Sequence, residues 1–264
     1  MINHRYQLGE IIGSGRMSEV FVGYDLTQIL SEQMGSEIAI KLIKSEFIDC
    51  DAAIFSFETE YIIGSSLHHE SLVRFFDFCS KPQQTFLVME RLYGETFAQA
   101  RKRLTSRGMR DKVELFKKLL LSLAFLHENN LTHADLKPSN IFLTQKDGLK
   151  LIDLGLSTGP TRNTVDSAYA FSRYYSSPER QKGGEPSFKD DLYAFGCISY
   201  EILSGQYPFQ RQDIDRFYFG EPRGLMNLNL DESIIYWIEK SLSFDPDLRP
   251  RDACHLLTEL AHIF

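Results

Sequence analysis

The arrangement of hydrophobic residues changes once along the chain, and this change restricts the fold more than any other feature. In the first ninety residues, short runs rich in β-branched and aromatic residues follow the pattern of strands. We place these strands at Tyr6–Ile12, Val20–Tyr24, Ile38–Ile43, Leu72–Phe78 and Phe86–Met89. From residue 92 onwards, the pattern is that of helices. The sequence therefore predicts an α+β protein, with a small sheet-containing first lobe and a larger, mainly helical second lobe.

A single helix interrupts the strands and carries an acidic residue on its apolar side. It is predicted over residues 51–67, where Glu60 shares a stripe with Phe57 and Gly64. A carboxylate in such a place needs a positively charged partner. Lys41, near the end of one predicted strand, is the candidate, because an ion pair would fix its flexible side chain.

The second lobe contains three recognisable features. Asp111 and Glu114 resemble a capping box, so we expect a helix to begin there. Residues 141–152 read as a small hairpin. The stretch Asp191–Leu203 is apolar almost all round and is followed by Gly205, which indicates a buried helix that ends at this glycine.

Composition excludes several classes of protein. With 264 residues and 43% hydrophobic residues, the chain is long enough and apolar enough to form a globular core. Its 29 basic and 36 acidic residues give a net charge of -7, which argues against a nucleic-acid partner. The four cysteines are scattered, so neither disulfides nor a zinc site is predicted. Because no signal peptide or membrane-spanning segment is recognisable, we expect a soluble, cytoplasmic protein.

Two features of the first lobe are suited to binding phosphate. Residues 13–20 read GSGRMSEV between two predicted strands, and small residues let backbone N–H groups approach a phosphate closely. Lys41 could neutralise phosphate charge if a partner holds it. Taken alone, the first feature also fits a plain glycine hairpin and the second a solvated lysine.

The most specific signal is the segment 133–140, which reads HADLKPSN. It brings a carboxylate (Asp135), a cation (Lys137) and an amide (Asn140) together just before the predicted hairpin. Asp153 follows the second strand of that hairpin, so we expect it near Asn140. Two oxygen ligands beside phosphates are what Mg²⁺ usually takes from a protein.

In this order, these motifs resemble the signature of eukaryotic-type (Hanks-type) serine/threonine protein kinases. The resemblance covers the chain from about Tyr6 to Phe264 and implies one bilobal kinase domain over residues 1–264. Its N-lobe, an antiparallel sheet with one helix, would span about 1–91, and its C-lobe 92–264. It implies transfer of the γ-phosphate of ATP to serine or threonine hydroxyls of proteins, including the chain itself. Mg²⁺ is the implied metal, with Mn²⁺ as an alternative.

The resemblance also implies roles for single residues. Asp135 would be the catalytic base and Lys137 would neutralise the γ-phosphate, while Lys41 would contact the α- and β-phosphates with Glu60 as its partner. The implied metal ligands are Asn140 and Asp153. The residues implied to surround the nucleotide are Ile12, Gly13, Ser14, Gly15, Val20, Ala39, Lys41, Met89, Glu90, Leu92 and Phe142.

Further positions match structural or specificity-determining residues of the family. Glu179, in a Ser-Pro-Glu motif, is expected to form an ion pair with Arg249. Asp191 matches the aspartate that braces the catalytic loop, although it also fits a simple helix N-cap. Ser172 stands at the family's threonine position and, together with Lys137, favours serine or threonine acceptors over tyrosine.

Three positions depart from the family pattern. Ser18 replaces the third glycine of the phosphate-binding loop, which should stiffen that loop. Ala134 replaces the arginine that clamps a phosphorylated loop in many members, so we expect weak dependence on such phosphorylation. Gly64 replaces a bulky apolar residue, and this leaves open an activating partner that seats the helix of Glu60.

Two other functions remain open from the sequence. One is a small-molecule phosphotransferase of the same fold, which would share the catalytic aspartate and the metal ligands. The Ser-Pro-Glu motif and Lys137 favour a protein kinase over that alternative. The other is a pseudokinase that acts as a scaffold, for which Ser18 and Gly64 are the best support. The intact set of catalytic and metal-binding residues argues against it.

Overall fold

The computed structural model describes residues 1–29, 37–146, 148–155, 157, 174–209 and 232–261. Ser172, on which the acceptor preference partly rests, lies outside the described residues. The chain divides into two compact units. The first comprises Met1–Gly94, Thr144–Lys146 and Ile152–Leu156, and the second comprises Glu95–Leu143, Asp147–Leu151 and Ser157–Phe264.

The first unit is built on a five-stranded antiparallel sheet with the order β1-β2-β3-β5-β4. The strands are β1 (Tyr6–Ser14), β2 (Ser18–Asp25), β3 (Ile38–Ile43), β4 (Phe75–Lys81) and β5 (Gln84–Glu90). The predicted strands are all present. The fourth, however, starts at Phe75 rather than Leu72, and the turn at Gln83 has a positive φ of 68° that closes its hairpin with β5.

Apolar side chains cover both faces of the central strands, since neighbouring residues of these strands belong to two different hydrophobic clusters. Ile40 and Val88 pack with Tyr6 and Phe86 on one face. On the other face, Leu87 packs with residues of helix α2 (Asp51–Ser66). The α2 helix matches the predicted helix to within one residue. A short helix, α1 (Leu26–Ile29), and a 3₁₀ turn over Ser45–Phe47 complete the unit.

The second unit is mainly helical. Within its described residues, the helices are α3 (Phe97–Thr105), α4 (Met109–Glu128), α5 (Pro178–Gln181), α6 (Phe188–Ser204), α7 (Glu232–Ser241) and α8 (Ala253–Glu259). Single-turn 3₁₀ helices lie at Pro138–Asn140 and Pro246–Leu248. A three-stranded sheet has the order β6-β7-β8, with β6 at Gly94–Thr96, β7 at Ile141–Thr144 and β8 at Leu149–Leu151. The strands β7 and β8 form the predicted antiparallel hairpin.

The predicted start of α4 is wrong. The helix begins at Met109 after the N-cap Gly108, so Asp111 lies within its first turn and does not form a capping box with Glu114. A capping box does occur one helix earlier, where Thr96 starts α3.

Helix α6 is the centre of the second unit. All residues from Asp190 to Leu203 are buried, and Gly205, with φ of 73°, ends the helix as predicted. Phe195 on this helix stacks on Trp237 of α7, with ring centroids 5.1 Å apart. Among the described residues, no helix is both long enough and apolar enough to cross a membrane.

Candidate active site

In the first unit, the register of the sheet aligns the glycine-rich segment with Lys41. Gly13 in β1 pairs with Val20 in β2. Val20 pairs in turn with Lys41 in β3. A Cβ atom added to Gly13 or Gly15 would meet no atom of the described residues closer than 3.6 Å and 3.7 Å, respectively, so packing against these residues does not require glycine there. The missing side chains instead leave room beside the backbone, as a phosphate-binding loop needs.

The tip of this loop is tied to the end of β3. The N–H group of Gly15 donates to the carbonyl of Ser18 at 2.8 Å, which closes the turn. The ammonium group of Lys44 donates to the Gly15 carbonyl at 2.7 Å, and the Lys44 N–H donates to the Met17 carbonyl at 2.9 Å. Ser18 itself is buried and already belongs to β2. The position of the third glycine is therefore part of the strand and not of the open loop.

Lys41 lies between two carboxylates. Its Nζ atom donates to Oε2 of Glu60 at 2.6 Å and to Oδ1 of Asp153 at 2.9 Å. The aromatic ring of Phe57 lies 5.3 Å from the same atom. Burial opposes the charge of Lys41, but Asp153 and Glu60 outweigh this effect and raise the pKa of the ammonium group. Burial also raises the pKa of Glu60, with the ammonium group opposing the change. Lys41 is thus a charged, fixed cation.

Two glycines bring α2 close to its neighbours in the first unit. A Cβ atom on Gly64 would lie 2.2 Å from Cδ2 of Phe75, so the phenylalanine ring occupies the space of the missing side chain. A Cβ atom on Gly155 would lie 2.3 Å from Oγ of Ser56. The residue after Asp153-Leu154 therefore packs directly on the helix that carries Glu60.

The other first-unit residues assigned to the nucleotide lie at the ends of strands and after β5. They are Ile12, Ser14, Ala39, Met89, Glu90 and Leu92. Ala39 is buried and pairs with Met89. The N–H group of Glu90 donates to the carbonyl of Arg74 at 2.9 Å, and the Glu90 carboxylate accepts from the Arg74 N–H at 2.8 Å. Arg91 donates to the Leu92 carbonyl at 3.2 Å. This last contact had no signal in the sequence.

In the second unit, Asp135, Lys137 and Asn140 form one cluster. Lys137 Nζ donates to Oδ2 of Asp135 at 2.5 Å. The amide nitrogen of Asn140 donates to the Asp135 carbonyl at 2.9 Å and to its Oδ2 at 3.2 Å. Pro138 starts the 3₁₀ turn that leads from Lys137 to Asn140, and its ring restricts the backbone of the loop. Because the amide nitrogen of Asn140 faces Asp135, its amide oxygen points away from Asp135. This oxygen accepts a long hydrogen bond of 3.4 Å from the hydroxyl of Ser139.

Asp191 of α6 holds the start of this loop. Its carboxylate accepts hydrogen bonds from the N–H groups of His133 at 2.8 Å and Ala134 at 3.0 Å. Nε2 of His127 donates to the same carboxylate at 3.1 Å, because Nδ1 of that ring accepts from the Ala253 N–H. Asp191 is not the N-cap of α6, which is Ser187. Of the two interpretations open from the sequence, the loop brace is the one that the structure bears out.

The remaining assigned positions also have defined places in the second unit. Glu179 and Arg249 form the expected ion pair, which is bidentate, with nitrogen–oxygen distances of 2.5 Å and 2.9 Å. The Arg249 side chain is fully buried. Phe142 lies in β7, where it is half-buried and pairs with Lys150 of β8.

The sheet, the paired lysine and the Asp-x-Lys-x-x-Asn loop define a protein of the kinase class. The chain matches the protein kinase domain family over residues 6–261, and it therefore belongs to that family. The α+β fold expected from the sequence is confirmed by this match. Members of the family use a nucleotide and a divalent metal ion and act on protein substrates.

Several bacterial proteins are similar to the chain. It is 29% identical over 213 residues to the serine/threonine-protein kinase PrkC of Bacillus subtilis, covering 79% of this chain and 32% of that protein. It is 31% identical over 221 residues to the probable serine/threonine-protein kinase PknB of Corynebacterium glutamicum, covering 80% and 33%. The probable PknB of Lactococcus lactis is 27% identical over 266 residues, covering 97% and 42%. The chain thus spans about a third to two fifths of these relatives.

Three hydrogen bonds in or near the candidate site could not be predicted from the sequence. They are the bond from Lys44 to the glycine loop, the bond from His127 to Asp191, and a bond from Ser177 to Asp190. Each joins residues that are distant in sequence and follow no periodic pattern. A buried position for Asp190 could have been suspected, since it directly precedes the apolar stretch Asp191–Leu203 of α6.

Proposed function

We propose that the chain transfers the γ-phosphate of ATP to serine and threonine hydroxyls of proteins, including itself. The observation that carries this proposal is the fixed position of Lys41 between Glu60 and Asp153. An intact lysine–glutamate ion pair is a requirement for phosphoryl transfer in protein kinases. The similar bacterial proteins carry the name serine/threonine-protein kinase, which supports the same acceptor class.

Residues of the first unit would hold the nucleotide. The backbone of the glycine loop would receive the phosphates, and the Lys41 ammonium group would offset the charge of the α- and β-phosphates. Ala39 would contact one face of the adenine ring, and Phe142, which belongs to the second unit, is proposed for the other face. Backbone groups of Glu90 and Leu92 would bind its edge, with Met89 behind it and Ile12, Ser14 and Val20 around it.

Residues of the second unit would act on the acceptor. The Asp135 carboxylate would accept the proton of the acceptor hydroxyl, and Lys137 would offset charge on the transferred group. Lys137 already lies at 2.5 Å from this carboxylate, so it also holds the carboxylate in place.

The metal proposal rests on donor chemistry. Asn140 turns its amide nitrogen toward Asp135 and therefore offers its oxygen, and Asp153 offers a carboxylate on a side chain that is 42% exposed. Oxygen donors of this kind fit Mg²⁺, and also Mn²⁺. When bound, the ion would neutralise charge on the β- and γ-phosphates. We propose Asn140 and Asp153 as its protein ligands.

Transfer of label tests the proposal. The purified chain is incubated with Mg²⁺, γ-labelled ATP and dephosphorylated casein as acceptor. We expect Asp135→Ala to lower transfer at least ~100-fold without loss of ATP binding, because a positioned base contributes about that much. We expect Glu60→Ala to weaken transfer too. The matched control is Glu58→Ala, since Glu58 lies on the same helix but is exposed. Equal transfer by wild type and Asp135→Ala would overturn the proposal.

The same assay addresses the alternatives. ATP binding without transfer to casein would favour a small-molecule acceptor, and absence of ATP binding would favour a scaffold. An activating partner for α2 stays a prediction. Since the Phe75 ring fills the space at Gly64, we expect transfer by the chain without added partner. Full dependence on an added protein would favour the partner instead.

A further inference from the structure

Two consecutive carboxylates at the start of α6 hold two different segments of the second unit. Asp191 accepts from the backbone of the loop that contains Asp135, as described above. Asp190 is also buried, and it accepts from the hydroxyl of Ser177 and, at 2.6 Å, from the N–H group of Ser187. Successive residues of one buried helix thus fix both segments.

Ser177 is the first residue of the Ser-Pro-Glu motif and the N-cap of α5. Its hydroxyl is fully buried, donates to Asp190 and accepts from the N–H group of Arg180 at 3.3 Å. Two residues further on, Glu179 forms the ion pair with Arg249. The segment that precedes this motif, Tyr174–Ser176, therefore leads directly into an anchored point.

This anchored segment and the catalytic loop share a cavity. Its lining includes Ala134, Asp135 and Leu136 of the catalytic loop, Tyr175 and Ser176, and Asp190 of α6. Helix α6 is bonded to both segments, through Asp191 to the catalytic loop and through Asp190 to Ser177. The proposed transfer requires an acceptor hydroxyl at Asp135, so an acceptor would lie beside the residues that line this cavity.

The charge of Asp190 does not add to the stability of the folded chain. Burial raises its pKa to about 6, and the carboxylates of Glu179 and Asp191 add to this effect, while the donors Ser177 and Ser187 oppose it. At neutral pH, the charged form is therefore less favourable in the folded chain than in the unfolded chain. What Asp190 supplies instead is geometry, since its hydrogen bonds fix the positions of Ser177 and Ser187.

We propose that Asp190 is a positioning residue for the protein acceptor, acting through the Ser177 hydroxyl on the segment beside the catalytic loop. This inference rests on the proposed kinase function. It assigns Asp190 and Ser177 to acceptor binding only, so ATP binding and the hydrolysis of ATP by water do not depend on them.

The test compares Ser177→Ala, Asp190→Ala and the double variant. For each variant, KM for dephosphorylated casein, the Kd for ATP with Mg²⁺ and ATP hydrolysis without casein are measured. We expect each single variant to raise KM for casein about tenfold, with ATP affinity and hydrolysis within about twofold of wild type. The double variant should be no worse than either single variant, because both partners of one bond are then absent. Ser204→Ala, whose hydroxyl bonds a carbonyl of α6 itself, is the matched control and should resemble wild type.

Three results would overturn the inference. These are an unchanged KM for casein in both single variants, additive effects in the double variant, or an equal loss of ATP hydrolysis and casein phosphorylation. The last result would show a general structural role. If the wild type itself transfers no phosphate to casein or to itself, the proposed function fails and the inference falls with it.

Discussion

The contact between Gly64 and Phe75 predicts whether the substitution Gly64→Ala raises or lowers the free energy of unfolding. Gly64→Ala in a helix interior normally stabilises a protein by about 1 kcal/mol, because glycine is a poor helix former. Here the new Cβ atom would lie 2.2 Å from Cδ2 and 2.3 Å from Cε2 of the ring. Ordinary contact begins at 3.4 Å, so the ring edge must withdraw by roughly 3.4 − 2.2 = 1.2 Å.

The steric cost exceeds the gain in helix propensity. Overpacking of a filled core costs about 1–3 kcal/mol, and a ring that is 6% exposed and packed on Val73 and Leu87 has little room to move. With a cost near the upper limit, we expect Gly64→Ala to lower the free energy of unfolding by about 2 kcal/mol. Denaturant unfolding of the purified chain measures this value.

A second variant decides whether the ring is the cause. In a Phe75→Leu background the ring edge is absent, so Gly64→Ala should become neutral or stabilise by up to about 1 kcal/mol. The coupling free energy between the two sites should then be about 2–3 kcal/mol, in the range for residues in direct contact. The reasoning is refuted if Gly64→Ala stabilises the wild type, or if its effect is the same in both backgrounds.

Three further predictions follow from contacts in the two units. Lys44→Met removes the hydrogen bond to the Gly15 carbonyl and should raise KM for ATP about fivefold, which is equivalent to about 1 kcal/mol. Thermal stability should not fall. An unchanged KM for ATP would contradict this prediction. Arg249→Ala leaves Glu179 without its partner and should lower the free energy of unfolding by about 3 kcal/mol in denaturant unfolding, whereas a loss below 1 kcal/mol would argue against the pair. For Asp190, the folded pKa of about 6 lies above the ordinary aspartate value of 3.8, so its contribution to stability is present below pH 3.8 and is lost as the pH rises through 6. Asp190→Asn should therefore gain thermal stability relative to wild type between pH 4 and pH 8, and a constant difference would refute this.

Much of the first unit could be predicted from the sequence because its signals are local. The predicted bounds of the strand Ile38–Ile43 are those that the structure shows, and the predicted helix α2 ends only one residue too late. Alternation of apolar residues and a single amphipathic stretch were sufficient there. Lys41 and Glu60 could be paired in advance, because a carboxylate on the apolar side of a helix needs a positively charged partner.

The errors have equally local causes. Helix α3 was missed because its mean composition is basic and polar, although Thr96 and Gln99 carry the spacing of a capping box. At α4, Asp111 of the first turn was mistaken for the cap itself. An acidic residue there interacts favourably with the helix N-terminus but does not mark the first residue of the helix.

The three departures from the family pattern take a different meaning once their neighbours are known. The glycine loop, where Ser18 replaces a glycine, is tied at its tip by Lys44. The space left by Gly64 is filled by Phe75. Ala134 adopts a positive φ of 65°, which is uncommon for alanine, and Asp191 holds it there through its N–H group. A scaffold that had lost catalysis would have no need to keep a strained backbone beside Asp135 or a fixed lysine beside Asp153. The compensating contacts lie at the positions where phosphoryl transfer requires geometry, and this favours retained catalysis over a binding role alone.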